Sequence, residues 1–117
     1  PVLLLVVGKE YYSSNGKPNA LYAYDCGQAM AHISLEATHL GLFSHQMGGF
    51  SAGEAVDIFQ IPEGYKPLAM MAIGYYGDTD ALPEELKKRE TALRERKELH
   101  ELVFSHKFGE TSSIINL

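Results

Sequence analysis

Leu68-Ala69-Met70-Met71-Ala72-Ile73-Gly74-Tyr75-Tyr76 is the stretch on which the fold turns. Its apolar residues run through consecutive positions, so an extended chain here would be apolar on both faces, the pattern of a strand buried inside a sheet. Lys66-Pro67 leads into it and Gly77-Asp78 ends it, and the reading is a central strand. Val2-Leu3-Leu4-Leu5-Val6-Val7, closed by Gly8, has the same character and predicts another strand buried within a sheet. A chain that opens at full hydrophobicity on Pro1, with no initiator Met, is expected to continue upstream.

Between these strands the punctuation is helical. Ser13-Ser14-Asn15-Gly16-Lys17-Pro18-Asn19 is a cluster of turn formers and reads as a surface loop. Asp25 and Gln28 have capping-box spacing and Gly41 offers a left-handed stop, which predicts a helix over about residues 25 to 40. Cys26, Ala29, Met30, Ile33, Ala37 and Leu40 form one stripe, while Ala31 and Leu35 lie off it. So apolar a helix predicts burial on more than one side, by its own sheet and by something else, such as a second subunit. Ser51 and Glu54 form a second box that opens a short helix to about Gln60, and Ile61-Pro62-Glu63-Gly64-Tyr65 closes it with a turn.

Pro83, at a first helical position before Glu84 and Glu85, starts a third helix carrying Leu86 and Leu93. Phe108-Gly109 and the polar run Glu110 to Ser113 break any continuation, and the apolar tail Ile114-Ile115-Asn116-Leu117 is expected either to pack on a neighbouring chain or to be disordered.

Composition narrows the function classes. With 117 residues and 45% hydrophobic content, the chain suits one domain spanning residues 1–117. A net charge of -5 offers no basic field for nucleic acid or an anionic membrane surface. The late basic residues Lys87, Lys88, Arg89, Arg94, Arg96 and Lys97 alternate with Glu84, Glu85, Glu90, Glu95 and Glu98, the pattern of a solvated helix face. The single Cys26 excludes an internal disulfide and fits a reducing cytoplasm; on an apolar helical stripe it behaves as a small hydrophobe rather than a nucleophile. Residues 2–7 are too short for a membrane span or a signal peptide. His32 and His39 share a helix face but sit two turns, about 10 Å, apart, and with His45 they make no metal-ligand pattern, so no metal is expected.

Met47-Gly48-Gly49-Phe50-Ser51 is the segment with chemical promise, since paired glycines before a capped helix expose backbone amides that a ligand can approach. Taken with its surroundings it becomes more specific. Thr38-His39-Leu40-Gly41-Leu42, then His45-Gln46-Met47-Gly48-Gly49-Phe50, Ile61-Pro62-Glu63-Gly64-Tyr65-Lys66-Pro67 and Ala72-Ile73-Gly74-Tyr75 resemble the nitroreductase family. Leu82-Pro83-Glu84-Glu85-Leu86, Arg94 to Lys97, Glu101-Leu102-Val103-Phe104 and Lys107-Phe108-Gly109 are similar to its C-terminal arm.

The resemblance implies an α+β fold with a central, mostly antiparallel sheet, flanking helices and an extended C-terminal arm. It further implies a cytoplasmic homodimer holding FMN at the subunit interface. In such enzymes NAD(P)H reduces the flavin and a small acceptor, a nitroaromatic, quinone or enone, reoxidises it in a ping-pong cycle. The cofactor carries that chemistry, so no protein acid or base is named as catalytic. Cofactor binding would fall to Met47, Gly48 and Gly49 beside the isoalloxazine ring, with Gly48 and Gly49 offering amides to its N5 and O4 edge, and to Arg96 and Arg94 at the phosphate. His45 and Gln46 would line the pocket or stabilise the turn.

The chain lacks the family's Arg-rich N-terminal segment and the Ser/Asn/Gln-Pro-Trp-type stretch beside the flavin, so alone it is expected to bind FMN poorly. Two alternatives follow: a truncated, non-catalytic dimerisation or binding module of the same fold, or a flavin-dependent dehalogenase-type relative.

Overall fold

The computed structural model describes residues 1–116 and divides into two compact units, one from Pro1 to Gly77 and one beginning at Asp78. The first unit is built on a three-stranded antiparallel sheet in which β1 (Val2–Lys9) and β2 (Phe43–Met47) flank β3 (Tyr65–Gly74). β3 is the central strand that its unbroken apolar run predicts. Pro67 has no N–H for a ladder and is normally kept out of central strands. Here it sits where β1 and β3 slip register, between Val6↔Ala69 and Val7↔Pro67, and beyond the reach of β2, whose pairing stops at Met47↔Met70.

β1 departs from expectation. Among the described residues it pairs only with β3, so it is an edge strand, and Val2 and Leu3 are 58% and 60% exposed. Its apolarity on both faces is real, but among the described residues no strand pairs with its outer edge. β2 is also new: Phe43-Ser44-His45-Gln46-Met47 is too short and too polar at its centre to announce a strand.

α1 (Tyr22–His39) begins a turn earlier than the Asp25 box implies. The loop residue Asn19 organises that start, its side chain accepting the Leu21 amide at 3.0 Å and its carbonyl the Tyr22 amide at 3.5 Å. Asp25 instead lies in the first turn, where its charge complements the helix dipole. The closing end is as read: Gly41 (φ 74°) donates to Thr38 at 3.0 Å and Leu42 to Ala37 at 2.8 Å, the paired bonds of a Schellman stop. Gly41→Ala keeps both donors but forces a side chain into the left-handed region, and should lower stability by about 1 kcal/mol in urea unfolding. An unchanged midpoint would show that the stop does not need glycine.

Tyr22, Cys26, Met30, Ser34 and Ala37 form the stripe that faces the sheet, with Met30 and Ala37 buried. Ile33, Leu35 and Leu40, with Tyr24, stay exposed, so the second apolar side of α1 has no cover among the described residues. At the N-terminal end Gly8 is buried, and a Cβ there would collide with the Tyr22 ring, so the close approach of α1 to β1 needs a glycine. α2 (Ala52–Phe59) contacts β3, buries Ala55 and is capped by Ser51. Of the expected second box, the structure forms the Ser51 Oγ half, which accepts the Glu54 amide at 3.3 Å.

In the second unit α3 (Glu84–Thr91) follows Pro83, which occupies the cap position rather than the first turn. The charge alternation does not continue as a helix: Ala92 is extended, Leu93 is 93% exposed, and residues 94–97 are irregular. A short 3₁₀ turn (Leu99–Glu101) opens on a reciprocal Glu98–Glu101 capping box, and Phe104 bridges to Thr111. Of the apolar tail, Ser113–Asn116 forms a further 3₁₀ turn with Ile114 exposed, while Leu117 lies outside the described residues.

Candidate functional site

The glycine loop hangs between two fixed ends. Met47 is the last residue of β2, paired to Met70, and Ser51 caps α2, its carbonyl accepting the Ala55 amide at 3.0 Å. Gly48, Gly49 and Phe50 bridge the gap. Both glycines are exposed, and among the described residues neither amide has an acceptor. Two free donors beside the positive end of a helix make the surface here favourable to an electron-rich or anionic group.

The glycines themselves are informative. Neither has the positive φ that demands glycine, and a Cβ built on either would meet nothing within 4 Å. The fold therefore tolerates a side chain at both positions. What glycine provides is an unobstructed main chain.

The Gln46 side chain bonds to α1 rather than to the turn. Its Nε2 donates to Ser34 Oγ at 3.1 Å, and that hydroxyl donates to the Met30 carbonyl at 2.9 Å, so the strand that carries the loop is tied to α1. Ser34 is not legible as a partner from sequence, because a serine inside a helix commonly bonds to its own backbone and stops there. Register places Gln46 in one row with Met71 and, across it, Leu4, and the bond to Ser34 puts that row on the α1 side of the sheet. Gln46 also lines a shallow cavity under α1 with Val6, Cys26, Met30 and Ala69.

Arg94 and Arg96 belong to the second unit, Met47, Gly48 and Gly49 to the first. Arg96 Nη1 donates to the Glu95 carbonyl at 2.7 Å, and among the described residues neither arginine forms an ion pair. His32, His39 and His45 do not come together as ligands: among the described residues no group of three or more His, Cys, Asp or Glu side chains could hold a metal ion. No described helix is long and apolar enough to cross a membrane.

A three-stranded antiparallel sheet with helices packed on it places the chain in the α+β class. The nitroreductase family model matches residues 1–75, and the chain belongs to that family. Among solved structures, an oxidoreductase containing FMN superposes with a TM-score of 0.84 at 31% identity, covering 93% of this chain and 56% of that one. A nitroreductase family protein from Clostridium difficile 630 superposes with a TM-score of 0.66 at 26% identity, covering 92% and 60%. An uncharacterized 15.4 kDa protein of Mycolicibacterium smegmatis is 36% identical over 87 residues, 74% of this chain and 58% of its own length. The chain thus spans between half and two thirds of the length of each of these three relatives.

Proposed function

We propose that this chain supplies one side of the flavin site of an FMN-dependent NAD(P)H oxidoreductase. The observation that carries the reading is the pair Gly48 and Gly49, which the fold does not need as glycines and whose exposed amides have no acceptor among the described residues. These residues fit the edge of an isoalloxazine ring: the bare main chain permits close approach, and N–H groups aimed at N5 stabilise charge that builds there on reduction. Met47 and Phe50 flank the approach. When bound, FMN would supply the chemistry, accepting hydride from NAD(P)H and passing electrons to a nitroaromatic, quinone or enone. The similarity to an FMN-containing oxidoreductase supports this assignment.

The exposed side of α1, with Tyr24 at 66% and Leu35 at 70%, supports a homodimer in which a second subunit covers it. Family membership and a single free cysteine support a cytoplasmic setting.

Arg96, with Arg94 beside it in sequence, is proposed to hold the FMN phosphate, because a guanidinium without an ion pair can give two parallel hydrogen bonds to phosphate oxygens. Arg96→Ala should weaken FMN binding by about ten- to a hundredfold, the range for a hydrogen bond to a charged group, and leave riboflavin binding unchanged. An equal loss for both flavins would take Arg96 away from the phosphate.

The overall reading is tested by purifying the protein with whatever its reading frame encodes before Pro1. Bound yellow flavin and NAD(P)H oxidation are the expected result. A protein that stays colourless in excess FMN overturns it, and if that protein is a stable dimer, the non-catalytic dimerisation module takes its place.

A further inference from the structure

β2 has the shorter ladder of the two edge strands and is also the one that delivers the glycine loop. Among the described residues it pairs on one side only, with β3, and the shallow cavity lined by Cys26, Met30, Gln46 and Ala69 shows that packing between α1 and the sheet is incomplete beside it. At that place one polar chain crosses the gap: Gln46 Nε2 donates to Ser34 Oγ, and Ser34 Oγ donates to the Met30 carbonyl. Met30 is buried on the sheet-facing stripe, so the chain ends on a fixed part of the helix. Gln46 is the residue immediately before Met47, and any movement of its backbone is passed to Met47, Gly48 and Gly49.

We infer that Ser34 and Gln46 are positioning residues, forming a clip between α1 and β2 that sets the place of the Gly48 and Gly49 amides. That the clip serves a flavin rests on the function proposed above; that it holds the loop does not. The hydroxyl geometry explains why a serine fits. Its oxygen must accept from the Gln46 amide while its proton goes to the helix carbonyl, which an alanine cannot do and a threonine can.

The test is amide hydrogen exchange on the flavin-free chain, following the protected amides of β2 with those of β1 and β3 as an internal reference. Ser34→Ala should speed exchange in β2 by about three- to tenfold, the scale of one lost hydrogen bond, and leave β1 and β3 unchanged. Ser34→Thr should restore the wild-type rate, and Gln46→Met should behave as Ser34→Ala does. Exchange in β2 that is unchanged in Ser34→Ala, or raised equally in all three strands, overturns the clip. FMN titration of the same variants, made in the protein with whatever its reading frame encodes before Pro1, then separates the two ideas. If the wild-type protein binds no flavin, the oxidoreductase reading falls and the exchange result still decides the clip. If the wild-type protein binds flavin and Ser34→Ala binds it equally well despite faster exchange, the link from clip to flavin falls.

Discussion

Met71→Ala should lower stability by about 2–5 kcal/mol, the cost of deleting a large side chain from a core that cannot collapse around the gap. Met71 has 0% exposure and stands in the middle of β3, opposite Leu4 on one neighbour and Gln46 on the other. It is the largest fully buried side chain among the described residues, and it shares the buried apolar core with Met30, Ala37 and Ala55. With so few buried groups, the lost methionine is a large share of a total stability that for small domains is about 5–15 kcal/mol. Met71→Leu, close in volume, should cost less than about 1.5 kcal/mol. Leu40→Ala, at a position 61% exposed, supplies the reference for a side chain that contributes little to this core. Urea midpoints would decide the matter, and a Met71→Ala shift no larger than that of Leu40→Ala would show that Met71 is not the keystone of the sheet.

The same strand shows what could be read in advance. β3 was recognisable because burial on both faces leaves no polar position, and the Gly41 stop because only glycine enters the left-handed region at no cost. β1 carries the same apolar code but stands at an edge, because sequence reports that a strand wants cover and not whether this stretch of chain provides it. β2 was missed for the opposite reason. Its apolar residues are only Phe43 and Met47, and its register comes from Gly74 to Met70 across the ladder rather than from its own pattern. The start of α1 went astray because Asn19, two residues before the Leu21 cap, organises it through a local turn, and a capping-box template looks elsewhere. At the glycine loop, sequence singled out paired glycines before a capped helix. The structure added that the fold makes no demand for glycine there.

That last fact separates two substitutions that would otherwise look alike. Gly48→Ala keeps the amide and adds a methyl group into space where the protein has no atom within 4 Å, so the fold should be as stable as before. If a flavin ring approaches this main chain, the methyl group stands in its way, and FMN affinity should fall while the urea midpoint does not. Gly48→Pro removes the N–H itself. The residue before it, Met47, ends a strand, and the extended backbone that a proline imposes on its predecessor is the one Met47 already has. A proline here should therefore leave β2 in place and delete one of the two donors proposed to meet the ring. Loss of a preorganised donor to developing charge costs about 10²- to 10³-fold in rate, and the step affected is flavin reduction, read by stopped-flow bleaching of the oxidised flavin band under NAD(P)H. The two variants should differ in kind: alanine weakens binding, and proline slows reduction of whatever flavin is bound. If both bind and reduce flavin as the wild type does, with midpoints unchanged, Gly48 is only part of a turn, and the donors of this site must be sought in another part of the main chain.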